Sequence, residues 1–190
     1  TAHHIQGKGW RLYNCSADVI NCDAYRCFDP LRSDSFPGNG GTGFNVGSDE
    51  TTILRYYFFG CRSWENSDQG FSGIGRGTAI FDNCWTWNNA PKDMNLTGPG
   101  LGSGFKFGLN YTQTSEGPTL IVRNCIAAYC PHGGINDNAG SSVPINEYFY
   151  NNTIYRCNSG FSIIPTLYTE ENGYSKREVI LRNNVSYQNV

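Results

Sequence analysis

The stretch Gly102-Ser103-Gly104-Phe105-Lys106-Phe107-Gly108 sets one lysine between two phenylalanines and flanks the trio with glycine. Successive side chains of a strand point to opposite faces, so Phe105 and Phe107 would turn inward together and Lys106 outward. A lysine held that way can act as a base or an anion binder; an ordinary solvent-facing lysine, the commonest use of the residue, is the competing reading. A second constellation, Trp64-Glu65-Asn66-Ser67-Asp68-Gln69-Gly70-Phe71-Ser72, puts Asp68 at a strand-to-turn junction. Asp68 can bind a hard cation through oxygen, helped by Gln69, Ser72 or backbone carbonyls. It competes there with a turn aspartate bonding its local backbone. Asp49 and Asp137 occupy similar Gly-rich turns, so no carboxylate pair with the defined separation of a glycosidase stands out.

What must position these residues is a repeat. INCDAYRC, FGCRSWEN, DNCWTWNN, RNCIAAYC, NNTIYRC and RNNVSYQN each carry Cys or Asn at one position and Cys or Asn again five residues on. The pairs are Cys22/Cys27, Cys61/Asn66, Cys84/Asn89, Cys125/Cys130, Asn152/Cys157 and Asn184/Asn189. Short β-prone runs precede them, such as those at 52–59, 78–81, 119–122 and 178–181, and several are followed by glycine plus an apolar residue: Gly43-Phe44, Gly70-Phe71, Gly104-Phe105, Gly134-Ile135 and Gly160-Phe161. Strands this short cannot bury their apolar faces alone, but stacked coil on coil they can. Amphipathic stretches at the helical period are lacking. The pattern predicts an all-β chain, a parallel β-helix solenoid of about six coils. Irregular repeat intervals are absorbed as loop insertions on one face, and equivalent residues of successive coils lie ~4.8 Å apart. Stacked Asn side chains can then bond amide to amide and satisfy turn backbone groups, with Cys as a small buried hydrophobe at the same stations. Disulfides between neighbouring coils, for example Cys130 with Cys157, are the alternative.

Composition limits the rest. The 190 residues carry 14 basic and 16 acidic side chains, a net charge of −2, with 16% charged, 14% aromatic, 23 Gly and 8 Cys. That balance lacks the basic footprint of a nucleic-acid binder, and no apolar run is long enough to span a bilayer. The cysteine spacing without CxxC, and three scattered histidines, do not make a zinc site. The whole of 1–190 reads as one domain. The chain stops at Val190 directly after a repeat and shows no polar cap before Thr1, so the pattern predicts part of a longer polypeptide. Sequons at Asn14, Asn95, Asn110, Asn151 and Asn184 would suit a secreted glycoprotein, although chance supplies most of them in so Asn-rich a chain.

A solenoid of this kind offers an extended groove to a polymer, and polysaccharide suits a neutral, aromatic-rich, Gly/Asn-rich surface. Taken together, Asn21-Cys-Asp-Ala-Tyr, Cys27-Phe-Asp-Pro, Gly38-Asn-Gly-Gly-Thr-Gly-Phe, the segment Cys61 to Phe71, Gly104-Phe-Lys-Phe-Gly, Asn124-Cys-Ile-Ala-Ala-Tyr and Asn183-Asn-Val-Ser-Tyr-Gln-Asn resemble the family 9 polysaccharide lyases. These pectate lyases have a right-handed parallel β-helix, and their catalytic base is a lysine in Gly-Phe-Lys-Leu-Gly. Lys106 stands in that place. The resemblance also implies calcium, held in the family by an Asp before Gly-Phe on one coil and by an Asp cluster on a later one. Here those positions read Thr42, Asp68, Gln69 and Ser72. One carboxylate replaces several, and ligand charge count is a principal control on calcium affinity.

The implied function is that of an extracellular polysaccharide lyase cleaving an acidic, uronate-containing, pectate-like glycan by β-elimination, with Lys106 as base and Asp68 and Gln69 as the calcium candidates. With so few acids at the metal corner, Arg62 and Arg76 are the candidates for holding the substrate carboxylate. The alternative is a non-catalytic β-helix that binds glycan after losing the calcium site.

Overall fold

In the computed structural model, which describes residues 1–30, 38–49, 52–73, 76–91, 102–108, 118–137, 145–163 and 178–190, short parallel strands wind into three sheets. The sequons at Asn95 and Asn110 and much of the chain between 90 and 121 lie outside the described residues. Each coil runs through a groove sheet, a long sheet and a short sheet. The groove sheet holds Trp10–Tyr13, Phe44–Gly47, Phe71–Ser72, Phe105–Phe107, Ile135–Asp137 and Phe161–Ser162. The long sheet holds Ala17–Ile20, Ile53–Phe59, Arg76–Asp82, Thr119–Arg123, Asn146–Tyr150 and Val179–Arg182. The short sheet holds Ala2–His3, Asp23–Tyr25, Arg62–Trp64, Trp85–Trp87, Ile126–Ala128, Thr153–Tyr155 and Val185–Tyr187. Every pairing within the sheets is parallel and joins successive coils, as the Cys/Asn repeat predicts.

The repeat marks the corners on either side of the short sheet. Between long and short strands the chain turns in two residues: Asn21-Cys22, Gly60-Cys61, Asn83-Cys84, Asn124-Cys125, Asn151-Asn152 and Asn183-Asn184. The first of each pair is left-handed, the asparagines at φ between 51° and 55° and Gly60 at 63°. Asparagine and glycine are the residues that enter this region at least cost. At the other corner Arg26, Glu65, Asn88, Tyr129, Arg156 and Gln188 adopt φ between 49° and 54°, which costs the bulkier ones roughly 1–2 kcal/mol each. The exposed Arg26–Glu65 ion pair at 2.7 Å is worth about 0–1 kcal/mol, too little to hold such a turn. The bonds beneath it are the stronger candidates. Asn66 Oδ1 accepts the Cys27 N–H at 3.1 Å, and Asn89 Oδ1 accepts both the Asn66 backbone N–H at 3.1 Å and its Nδ2 at 3.0 Å. The companion column behaves alike, with Asn152 Oδ1 accepting the Cys125 N–H at 3.0 Å and Asn184 Oδ1 the Asn152 N–H at 2.9 Å.

The cysteines at these stations pack as small hydrophobes. All eight are free thiols, Cys130 and Cys157 among them. Burial pushes the Cys27 thiol up to about 11, and a hydrogen bond to Cys84 together with burial raises Cys61, so neither is poised as a nucleophile.

Inside, the groove and long sheets contribute the large side chains, one or two per strand, and the short sheet smaller ones. Phe44, Phe71 and Phe105 stack at 5.0 and 4.9 Å and meet the Phe58–Phe81 stack edge-on. Opposite them the buried short-sheet residues are Ala24, Ser63, Thr86, Ala127 and Ile154. The glycine before each groove strand follows from this tight cross-section. A Cβ at Gly70 would collide with Thr86 Oγ1 and come within 2.8 Å of the Gly104 carbonyl.

Removing a ladder member should reveal its load. Asn66→Ala strips the buried Cys27 N–H of its acceptor and Asn89 Oδ1 of a donor, and is expected to cost about 2–4 kcal/mol. Urea denaturation followed by circular dichroism reads this as a lowered midpoint; an unchanged midpoint would show the ladder to be incidental.

Candidate functional site

The groove sheet presents outward the residues that alternate with its buried aromatics. Register places Arg11 beside Asn45, Asn45 beside Ser72, Ser72 beside Lys106 and Lys106 beside Asn136. Phe105 and Phe107 are fully buried while Lys106 is half-buried on the opposite face, the alternation that the motif predicts. A second row lies one corner earlier, at the residue before each Gly-apolar pair: Lys8, Thr42, Gln69, Ser103 and Gly133. It is aligned by Gly9 donating to the Thr42 carbonyl, Gly43 to Gln69, Gly70 to Ser103 and Gly104 to Gly133, at 2.9 to 3.0 Å. Together the rows line an open groove of about 520 Å³ that contains Lys8, Arg11, Thr42, Asn45, Asp68, Gln69, Ser72 and Lys106.

Asp68, Gln69 and Thr42 form a closed polar corner at one side of that groove, all three nearly fully buried. Asp68 Oδ2 accepts the Gly40 backbone N–H at 2.9 Å, Oδ1 accepts Gln69 Nε2, and Thr42 Oγ1 donates to Gln69 Oε1 at 3.0 Å. Ser72 stands in the outward row between Asn45 and Lys106. On the far side of Lys106 lies His132. Its Nδ1 is 2.9 Å from Asn136 Nδ2 and 3.1 Å from Ser103 Oγ. An amide nitrogen only donates, so Nδ1 is the acceptor and the ring proton sits on Nε2. Burial, and the neighbouring Lys106 ammonium after it, hold His132 below the ordinary histidine value of 6.5, which keeps the imidazole neutral.

Lys106, Asp68 and Gln69 are thus brought into one groove. Arg62 is not: it lies in the short sheet, bound to Asp23 through two bonds of 2.8 and 2.9 Å, next to Trp85 and Asn83 in a separate depression. Arg76 opens a long-sheet strand at the groove's border, its backbone N–H donating at 2.9 Å to Ser48 Oγ, and Ser48 lines the groove. Sequence reasoning missed Lys8, Arg11 and His132. The signal for the first two was Gly9-Trp10, a Gly-apolar pair of the same kind as Gly43-Phe44, which puts Lys8 in the column of Thr42 and Arg11 in that of Lys106. For His132 it was Gly134-Ile135, which puts the histidine two residues ahead of the pair, where Asp68 stands ahead of Gly70-Phe71.

Residues 1–184 match the family described as "Pel9A-like, right handed beta helix region". Pectate lyase L of Dickeya dadantii (strain 3937) is 32% identical over 189 residues, 97% of this chain and 40% of the relative. Pectate lyase L of Dickeya chrysanthemi is also 32% identical over 189 residues. The chain therefore spans 40% of the length of the relatives it matches. The crystal structure of pectate lyase Pel9A superposes with a TM-score of 0.71 at 24% identity, over 99% of this chain and 46% of that one. The parallel coils, the aligned corners and these matches agree: the chain belongs to the Pel9A-like right-handed β-helix family.

Proposed function

We propose that this chain supplies the catalytic groove of a polysaccharide lyase acting outside the cell on an acidic, uronate-containing glycan of the pectate type. A polymer of that size does not cross a membrane, so its enzyme meets it outside. The observation that carries the reading is Lys106. It is held outward between two buried phenylalanines in the floor of an open groove, in a Gly-Phe-Lys-Phe-Gly segment that resembles the one carrying the family's base. In the reaction Lys106, once its ammonium has given a proton to solvent, takes the proton α to the uronate carboxylate. The C–H electron pair becomes the new carbon-carbon double bond, the bond to the glycosidic oxygen breaks, and that oxygen leaves with a proton from water. Ser72 and Asn45, one and two coils away in the same row, offer hydrogen bonds to the sugar that orient it for this step. No step is routed through calcium. The corner where the family resemblance implies it offers one carboxylate, whose two oxygens already accept N–H bonds, a donor set that does not fit a cation seeking six to eight oxygens, roughly.

Lys106→Ala is expected to lower the rate on polygalacturonate, read as the ultraviolet absorbance of the unsaturated product, by about a hundredfold or more, with the circular dichroism spectrum kept. An undiminished rate would sink the assignment, and glycan binding by the parent protein without any product would favour the non-catalytic reading.

His132 should leave a mark on stability against pH. Because its folded value lies below 6.5, its contribution is complete above 6.5, and it is lost as pH falls from there towards the lowered value, where the unfolded chain binds the proton first. The urea midpoint of the parent should therefore drop more between neutral and mildly acidic pH than that of His132→Gln. Parallel curves for the two proteins would show that His132 is not held neutral by its surroundings.

A further inference from the structure

The polar corner and the charges around it point to how the groove holds an acidic polymer. Thr42, Gln69 and Asp68 satisfy one another: hydroxyl to amide oxygen, amide nitrogen to carboxylate, with the Gly40 N–H on the second carboxylate oxygen. The Gln69 amide thus directs its positive end at Asp68, the role that a bound cation would otherwise play. Among the groove-lining residues Asp68 is the one acid, whereas Lys8, Arg11 and Lys106 are cations. Arg26, Arg55, Arg62 and Arg123 are each paired with a carboxylate. Arg11 instead lies over the ring of Tyr13, its guanidinium carbon 5.5 Å from the centroid. Stacking on an aromatic face leaves the edge of the guanidinium fork for a carboxylate, the planar partner that it binds bidentately.

We infer that the first coil of this groove, through Arg11 with Lys8 beside it, is a binding subsite for uronate carboxylates that works without calcium. The inference rests on the acidic-glycan reading above and adds to it where the polymer is gripped and by what. Arg11 lies three strands from Lys106 in one row, about 14 Å at the spacing of parallel strands. The subsite therefore takes a sugar remote from the cleaved bond. A short oligomer cannot occupy both places, and one long enough to do so gains binding energy away from the reacting centre. Being made of side-chain charge in an open groove, the grip weakens as salt rises.

Isothermal titration with oligogalacturonate of about six units, on Lys106→Ala protein to prevent turnover, tests this in EDTA and again in calcium chloride. The dissociation constant should be the same in both buffers within about twofold. It should rise about tenfold in Arg11→Gln, the loss expected for one charge-assisted pair, and Arg11→Lys should recover part of that loss. Binding that appears only with calcium, a melting temperature raised by calcium alone, or an Arg11→Gln protein that binds as the parent does would each overturn the inference and leave Lys106 untouched. Folded protein that binds no oligogalacturonate in either buffer would overturn the acidic-glycan reading, and this inference with it.

Discussion

The structure depends on one constraint: the two-residue corner between long and short sheets admits no insertion. A left-handed residue followed by Cys or Asn turns the chain there in every described coil, and at Cys84, Cys125 and Asn152 that second residue hands its N–H to a side chain of the next coil. Cys84 N–H reaches Cys125 Sγ at 3.3 Å, and Cys125 N–H reaches Asn152 Oδ1 at 3.0 Å. Because backbone groups buried in a solenoid must find partners within it, one coil slipping by a residue would orphan these groups and turn every side chain to the wrong face. Register is therefore set at a corner remote from the groove. The row in which Lys106 lies beside Ser72, Asn45 and Arg11 is its consequence.

The same constraint explains where variation is allowed. Long connections join the groove sheet to its neighbours, as between Phe28 and Gly43 or between Phe107 and Thr119. Lengthening a loop costs little in closure entropy, provided that its ends stay in register, and the short-sheet corners see to that. The glycines before each groove strand serve a related end. With Gly70 closed against Thr86 and the Gly104 carbonyl, the groove floor is drawn down onto the core, and the phenylalanine stack beneath holds it there. A lysine between Phe105 and Phe107 has little freedom to turn inward, so its outward direction is a property of packing.

What was legible in the sequence follows from this. The Cys/Asn pairs could be read because the corner they mark has constant length, and Lys106 because its glycines and phenylalanines carry the strand's alternation with them. Lys8 and Arg11 escaped because they sit on the opening coil, where Trp10 replaces the phenylalanine of Gly43-Phe44 and no preceding unit shows the repeat. Arg62 reads as a substrate-binding cation until the coils are stacked. Its carboxylate, Asp23, is far away in sequence and directly adjacent in register. The partners of Asp68 and Gln69 were hidden for the same reason, since Gly40, which donates to Asp68, and Thr42, which donates to Gln69, belong to the preceding coil. Residue types within a coil are open to sequence reasoning; contacts between coils depend on insertion lengths that no local pattern reveals.

The electrostatics of the groove follow from the same close packing. A buried carboxylate with no compensating partners would be costly, and Asp68 is nearly fully buried; the Gly40 N–H and the Gln69 amide supply that compensation from within the protein. Both carboxylate oxygens are thereby engaged within the protein. Lys8 and Arg11 line the groove at one end and Lys106 lies further along it, so its cations are spread along the stacking axis instead of concentrated at a point. For the polyanion proposed above, with a carboxylate on every sugar, such a distribution would set cations along the axis on which its own charges repeat.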